Sequence, residues 1–241
     1  MRGFVDLHCH YVPSIDDGAR SVDEGTAMLR ALRAAGFDTV VATPHMRPGM
    51  FDNTRSDLQR AFDSFATTCD ATTDLPARSL SSEHYFDDVV FGRLLAGEGV
   101  PYPGGRAVLL EFYEMDFPRS IDRQLVELRH RGLLPVIAHP ERYRIIWKKP
   151  DVLERLVDLG AVALLDTAAL VGKYGREPRR AAEALMERGL YHAACSDAHR
   201  PSDVAEVERG IRAIEAGWGA EEVDLLLREG PLEILEGRVS P

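Results

Sequence analysis

Two histidines separated by one residue, His8 and His10, end a short apolar segment near the start of the sequence. In an extended strand, residues i and i+2 point to the same side, so both imidazoles can reach one metal ion. An isolated pair of this kind is a weak signal, because two unrelated polar residues at the end of a strand would look the same. Further apolar segments end in the same way, at His45, Glu83, Glu111, His139 and the pair Asp197 and His199.

The repetition of this pattern indicates a metal site. One such residue alone would most often be a solvated loop residue, but six of the seven predicted strands carry a candidate His, Glu or Asp ligand at or just after their ends. Imidazoles and carboxylates gathered at one place repel one another or change their pKa values unless cations hold them. Imidazole and carboxylate without thiolate favour Mn, Fe or Zn over Ca, Mg or an iron–sulfur cluster.

The segments that end in these residues are predicted strands. Most are nearly continuous apolar runs, which is typical of strands buried on both faces of a parallel sheet. The seven predicted strands are Phe4–Cys9, Thr39–Thr43, Arg78–Glu83, Ala107–Phe112, Leu134–His139, Ala161–Asp166 and Tyr191–Asp197. In a parallel α/β barrel, the carboxyl ends of the strands form the active site, and the candidate ligands fall at those ends.

Helices are predicted between the strands. Ser21 and Glu24 form a capping box that begins one helix, and Gly36 is placed to end it. The other predicted helices are Ser120–Arg131, Pro150–Leu159, Pro178–Arg188, Ser202–Ala216 and Glu221–Leu227. This alternation predicts an α/β fold, either barrel-like or a large doubly wound sheet, in one domain over residues 1–241.

The composition excludes several classes of protein. The chain has 29 basic and 39 acidic residues, so its net charge of −10 argues against a nucleic-acid partner. Its three cysteines are too scattered for a disulfide framework. The sequence has neither a signal-peptide apolar region nor a run of about 18 apolar residues, so we expect a cytoplasmic protein without membrane insertion. The oligomeric state is not predicted.

Five motifs occur in order between residues 6 and 199: DLHCHYVPSIDDGARS, TPHMRPGMF, LLEF, PVIAHPERY and SDAH. In these motifs the chain resembles the polymerase-and-histidinol-phosphatase (PHP) superfamily of metal phosphoesterases. Within it, the similarity is greatest to the bacterial protein-tyrosine phosphatases of capsule and exopolysaccharide loci. The resemblance implies a distorted (β/α)7 TIM-like barrel of the PHP fold with up to three metal ions, commonly manganese. The implied metal ligands are His8, His10, Asp17, His45, Glu83, Glu111, His139, Asp197 and His199.

The resemblance leaves one ligand open, because Asp16 could replace Asp17 or orient a ligand instead. Glu111 is expected to bridge two ions. Three divalent ions would bring +6 and the four carboxylates −4, which leaves about +2 for a phosphate dianion. We therefore expect a metal-bound hydroxide to attack phosphorus in line, with Asp197 or His199 as candidate acid, although each is also an implied ligand.

Arginines complete the expected phosphate site. Arg142 in the H-x-E-R motif and Arg47 after His45 are similar to phosphate-binding arginines of the family. These enzymes often carry a further Arg-Pro several residues after the D-x-H motif. Here Arg200 follows His199 directly, so the sequence leaves open whether Arg200 reaches the phosphate.

The predicted function is hydrolysis of phosphotyrosine, with a bacterial tyrosine kinase that controls capsular or exopolysaccharide synthesis as the expected substrate. The alternatives are a small-molecule phosphomonoesterase such as histidinol phosphatase, a nuclease, and a metal-binding module without activity. Aromatic residues near the candidate ligands form either a wall for a phenyl ring or ordinary packing at the rim. They are Tyr11, Phe51, Tyr85, Phe112, Tyr113 and Tyr143.

Overall fold

Two parallel sheets make up the strand framework of the protein. The structure is a computed structural model, and it describes residues 2–69 and 72–239. The first sheet has the order β1-β2-β4, formed by β1 (Phe4–Cys9), β2 (Phe37–Ala42) and β4 (Ala77–Leu80). The second sheet has the order β3-β5-β6-β7-β8-β9. Its strands are β3 (His45–Met46), β5 (Glu83–Tyr85), β6 (Ala107–Glu111), β7 (Leu134–Ala138), β8 (Val162–Asp166) and β9 (Ala193–Cys195).

The predicted strand Arg78–Glu83 is wrong as one element, because its two ends lie in different sheets as β4 and β5. At the break, the Ser81 hydroxyl donates to the carbonyl of Val100 at 3.0 Å, and the Ser82 hydroxyl donates to the carbonyl of Pro44 at 2.8 Å. Pro44 also separates β2 from the unpredicted strand β3, since proline has no backbone N–H for a ladder.

A short parallel bridge joins the two sheets between Cys9 of β1 and Ala198, which follows β9. The amide of Asp197 donates to the carbonyl of His8, and the amide of His10 donates to the carbonyl of Ala198, both at 2.9 Å. In residues 2–69 and 72–239, the strand ladders do not close into one barrel. The architecture is a mixed α/β fold with parallel sheets, and the (β/α)7 barrel stays a prediction.

Ten α-helices connect or flank these strands in the described residues. They are α1 (Val22–Ala35), α2 (Arg55–Cys69), α3 (Asp88–Leu95), α4 (Ile121–His130), α5 (Arg144–Lys148), α6 (Asp151–Asp158), α7 (Arg176–Glu187), α8 (Val204–Trp218), α9 (Ala220–Asp224) and α10 (Gly230–Glu236). The Ser21 side chain caps α1 as predicted, although Glu24 accepts from the amide of Arg20. Helices α2, α3, α5 and α10 were not predicted. No helix in the described ranges is long and apolar enough to cross a membrane.

Both sheets contribute to one inner apolar cluster. Leu7 of β1 packs there with Leu109, Val136 and Leu164 of the second sheet, and Ile234 of α10 lies in the same cluster. The alternate residues of the strands belong to an outer cluster with the helices. Because both faces of these strands are buried, polar side chains collect mainly where the strands end. An exception is Asp6 within β1, which accepts from the amide and the hydroxyl of Ser196.

Candidate metal centre

The carboxyl ends of the strands bring together all nine predicted metal ligands. They form four overlapping groups, and the candidate ligand atoms of each group lie within 4.8 Å of one another. The groups are His10, Asp17, His45 and His199; His8, His10 and Asp197; His8, Glu83 and His139; and His45, Glu83 and Glu111. Because the groups share His8, His10, His45 and Glu83, the site is one continuous cluster.

Glu83 lies at the centre of this cluster, with its side chain only 2% exposed. Its Oε2 atom is 3.1 Å from His8 Nε2 and 3.2 Å from His45 Nδ1. Its Oε1 atom is 3.0 Å from His139 Nε2. Burial acts to raise the pKa of Glu83, but the charges of His8 and His45 and hydrogen bonds from His10 and His139 outweigh it, so the pKa lies well below its usual value. The carboxylate is therefore ionised at neutral pH.

Two aspartates complete the cluster on the side of His199. Asp197 Oδ1 is 3.2 Å from His8 Nε2 and 3.7 Å from His199 Nδ1. Asp17 Oδ1 is 3.4 Å from both His45 Nε2 and His199 Nε2. Asp197 is buried, whereas the side chain of Asp17 is 55% exposed, so the cluster runs from the interior to the surface.

The backbone is strained at two of the candidate ligands. His139 has φ +33° and Asp197 has φ +44°, in a region that non-glycine residues rarely adopt. The amide of Asp197 is held by the carbonyl of His8, and the amide of His139 donates to Leu164 at 2.9 Å. Strain of this kind persists only where the surrounding structure imposes it, and it concentrates at functional sites.

The loop after His10 distinguishes Asp16 from Asp17. Asp16 Oδ2 accepts from His10 Nδ1 at 2.8 Å and from the amide of His45 at 3.1 Å, and its Oδ1 accepts from the amide of Gly18. A Cβ at Gly18 would lie 2.2 Å from the carbonyl oxygen of His10, so this turn requires glycine. Asp16 thus orients His10, while Asp17 reaches the other candidate ligands.

The donor set fits divalent metal ions. His8 Nε2 and His10 Nε2 face each other at 3.1 Å, an arrangement that a shared cation satisfies. Among the described residues, the buried Glu111 Oε2 has no hydrogen-bond partner. Burial and the negative charge of Glu83 raise the pKa of Glu111 to about 7, and a bound cation would lower it again. The set offers only imidazole nitrogens and carboxylate oxygens, a combination that suits Mn, Fe or Zn.

Arg142 lies beside the cluster and separates two pockets. Its Nη1 atom is in close contact with the Asp197 carboxylate and 3.8 Å from Asp166 Oδ2. The ring of Tyr174 packs on its guanidinium, with Cζ 4.7 Å from the ring centre. These contacts fix the guanidinium at the edge of the metal cluster.

The aromatic pocket lies on one side of Arg142 and has a volume of about 290 Å³. Its lining includes Arg47, Tyr85, Glu111, Tyr113, His139 and Arg142. The Arg47 guanidinium stacks on the ring of Tyr85 at 4.1 Å. In the part of the chain that the structure describes, no carboxylate lies within ion-pair distance of Arg47, so its charge faces the pocket without a salt bridge.

The other aromatic residues named from the sequence take different positions. Phe112 and Tyr143 line the aromatic pocket but are themselves buried. The ring of Phe51 stacks on His45, with 5.3 Å between the ring centres. Tyr11 packs against Phe65 in the core, away from the cluster. Four of the six residues therefore line the aromatic pocket, whereas Tyr11 and Phe51 do not.

The charged pocket lies on the other side of Arg142 and has a volume of about 310 Å³. Its lining is Arg142, Lys173, Tyr174, Asp197, His199, Arg200 and Asp203. Lys173 Nζ is 3.3 Å from Asp203 Oδ1. The Arg200 guanidinium donates to the carbonyl oxygens of Asp17 and Gly18. Arg200 therefore holds the loop that carries Asp17.

Comparison with known proteins identifies the family. The chain matches the sequence model of the family described as capsular polysaccharide synthesis, CpsB/CapC, over residues 4–236. It belongs to the CpsB/CapC family. This confirms the family resemblance inferred from the sequence motifs.

Individual members of the CpsB/CapC family are similar over nearly their whole length. The chain is 30% identical to tyrosine-protein phosphatase YwqE of Bacillus subtilis (strain 168) over 224 residues, which covers 90% of this chain and 86% of that protein. It is 26% identical to tyrosine-protein phosphatase CpsB of Streptococcus pneumoniae over 237 residues, covering 96% and 98%. A chain from the crystal structures of YwqE and CpsB, described as unique metal-dependent tyrosine phosphatases, superposes with a TM-score of 0.88 at 28% identity, covering 96% and 94%.

Three residues near the site of this CpsB/CapC chain were not found from its sequence. Asp166 and Tyr174 contact Arg142, and Glu141 accepts from the amide of Asp166 at 3.0 Å and from the Tyr191 hydroxyl at 2.9 Å. Burial raises the pKa of Glu141 to about 8, so this carboxyl group is mainly neutral at pH 7. Asp166 could have been found from the sequence, because it ends the predicted sixth strand in the same way as the candidate ligands end the other predicted strands.

Proposed function

We propose that this chain is a manganese-dependent protein-tyrosine phosphatase that binds up to three ions, with Fe or Zn as alternative metals. The observation that carries the proposal is the continuous cluster around Glu83 beside a pocket that two arginines line. The likeness to proteins named tyrosine phosphatases, and to a metal-dependent one, supports it. The pairing of a metal cluster with an aromatic pocket suits phosphate on a phenyl ring.

Each part of the proposed site has a role. The metal would be held by His8, His10, Asp17, His45, Glu83, Glu111, His139, Asp197 and His199. Bound divalent ions neutralise phosphate oxygens and lower the pKa of coordinated water. Arg142 and Arg47 bind the remaining phosphate oxygens. The rings of Tyr85 and Tyr113 pack against the substrate ring.

The leaving group sets the need for acid catalysis. A tyrosine phenolate has an ordinary pKa of about 10, so it needs less protonation than an alkoxide would. Asp197 and His199 are the candidates in our proposal for the group that donates this proton. His199 is the more accessible of the two, with its side chain 27% exposed.

The wider biological role is also part of the proposal. The substrate would be a bacterial tyrosine kinase that controls capsular or exopolysaccharide synthesis, and the protein would act in the cytoplasm. The family description supports a link to capsule synthesis. We further propose one domain over residues 1–241 with the distorted (β/α)7 PHP barrel, which the bonds between β1 and the segment after β9 support.

A substrate panel tests this function. The purified protein, loaded with manganese and with its ions per chain counted, is assayed on a phosphotyrosine peptide, a phosphoserine peptide, histidinol phosphate and single-stranded DNA. We expect the phosphotyrosine peptide to be hydrolysed fastest. Turnover of histidinol phosphate with the peptide untouched would favour the small-molecule phosphatase, cleavage of DNA would favour the nuclease, and no turnover would favour the inactive module.

A further inference from the structure

Exposed apolar side chains lie on three chain segments that also carry residues of the aromatic pocket. Five large apolar side chains are exposed in the part of the chain that the structure describes. Four of them, here called the apolar rim, are Met50 (60%), Tyr113 (58%), Val89 (54%) and Met115 (42%). Val89 lies in the first turn of α3, four residues after Tyr85 of the pocket. Only Leu225 belongs to a different region, the C-terminal helices.

The rim is continuous with the segments that form the pocket. Met50 lies in a tight turn in which the amide of Arg47 donates to the carbonyl of Phe51 at 3.0 Å, and the side chain of Arg47 lines the pocket. Tyr113 lines the pocket itself, and Met115 follows it by two residues. Exposed apolar residues scattered singly need no explanation, but a group beside a binding pocket marks an interaction surface.

We infer that the apolar rim docks the polypeptide around the phosphotyrosine, and that preferred substrates carry an apolar side chain next to it. This inference rests on the proposed function. The aromatic pocket, at about 290 Å³, is at the lower limit for small-ligand pockets and suits one phenyl phosphate group. A free small substrate would be contained in the pocket, whereas a polypeptide must continue across the rim.

The distribution of charge matches this substrate. The two arginines that line the pocket, Arg47 and Arg142, attract the phosphate inward. Exposed acids lie on the rim segments as well, among them Glu114, Asp116 and Asp88, and they repel acidic neighbours of the phosphotyrosine. A phosphorylated side chain therefore fits the pocket, and apolar neighbours fit the surface around it.

Binding of paired peptides tests the inference without requiring hydrolysis. Both peptides carry a non-hydrolysable difluorophosphonate analogue of phosphotyrosine, flanked by leucines in one and by serines in the other. We expect the manganese-loaded protein to bind the leucine peptide about tenfold more tightly, as burial of one or two apolar side chains allows. In the double variant Met50→Ser, Met115→Ser, the two dissociation constants should become equal within about twofold. The matched control Leu225→Ser should keep the preference.

The results separate this inference from the proposed function. Equal affinities for both peptides in the unaltered protein, or an unchanged preference in the double variant, would overturn the docking role of the rim. A leucine preference that the double variant loses supports the docking role of the rim, whether or not phosphotyrosine peptides are hydrolysed. A failure to hydrolyse these peptides counts against the proposed function alone. Circular dichroism of each variant checks that the fold is retained.

Discussion

The two pockets beside Arg142 are similar in volume, about 290 and 310 Å³, but their cations are used differently. In the aromatic pocket, Arg47 stacks on a tyrosine ring and has no salt bridge among the described residues. In the charged pocket, Lys173 lies 3.3 Å from Asp203, and Arg200 donates to backbone carbonyls. The paired Lys173 and Arg200 hold loops, whereas the guanidinium of Arg47 has no carboxylate partner and is available for phosphate.

This difference assigns separate tasks to two surfaces of one site. The metal cluster and Arg142 serve both pockets, so damage to them should abolish activity regardless of the substrate. Changes confined to one pocket should affect either substrate binding or the stability of the ligand-bearing loop. We therefore expect the loss of activity to be largest for variants of the shared metal cluster and Arg142, and smaller for variants of one pocket.

The largest effect is expected from a buried ligand of the metal cluster. His8 contacts the carboxylates of Glu83 and Asp197, so His8→Ala should lower kcat/KM by more than about 10³-fold, beyond the effect of a single transition-state hydrogen bond. Metal analysis should find fewer ions per chain. The matched control is His130→Ala, an exposed histidine of α4, which should change neither quantity. Full phosphatase activity in His8→Ala would contradict the metal mechanism.

Arg142 is expected to give the next largest effect. Replacement by lysine keeps the charge but removes the planar pair of donors, so Arg142→Lys should lower kcat/KM by about 10²- to 10³-fold while the metal content stays unchanged. Steady-state kinetics with a phosphotyrosine peptide measure this loss. Arg144→Lys, on the exposed start of α5, is the control. Equal effects of the two substitutions would show that Arg142 contributes only general charge.

The nine candidate residues come together as expected because the sequence signal for their position is local. A strand places residues i and i+2 on one side, and parallel strands bring their carboxyl ends to one edge, so His8, His10 and the polar residues that end later strands had to converge. Asp16 and Asp17 could not be distinguished in this way. Their roles depend on which carboxylate the turn at Gly18 directs toward His10, which is a matter of side-chain packing.

Other features depend on contacts between distant segments. The break in the predicted third strand follows from Ser81 and Ser82 bonding to the carbonyls of Val100 and Pro44, and no local pattern reveals this. The stacking of Tyr174 on Arg142 likewise joins residues far apart in sequence. Helix α2, which buries only Leu58, Phe65 and Cys69, was not predicted.

The comparison of the pockets is tested most directly by neutralising one cation in each. Arg47→Gln should lower kcat/KM for a phosphotyrosine peptide by about 10- to 30-fold, because a charge without a salt-bridge partner is lost from the pocket. Lys173→Gln should lower it by less than about threefold, because the ammonium group is already paired with Asp203. Steady-state kinetics of the two variants, measured side by side, show which cation contributes more to kcat/KM. A greater loss in Lys173→Gln would mean that phosphate is bound in the charged pocket instead.

The smallest effect on activity is expected at Arg200. Its guanidinium donates to the carbonyls of Asp17 and Gly18, so Arg200→Gln should loosen the Asp17 loop and weaken metal binding by about tenfold, the lower end for residues that support ligands. At saturating manganese, kcat/KM should change by less than about threefold. Titrations with manganese, in which activity is the readout, measure the metal affinity separately from kcat/KM at saturating metal. An unchanged metal affinity with a large loss of kcat/KM would instead place Arg200 on the substrate phosphate and remove the distinction between the two pockets.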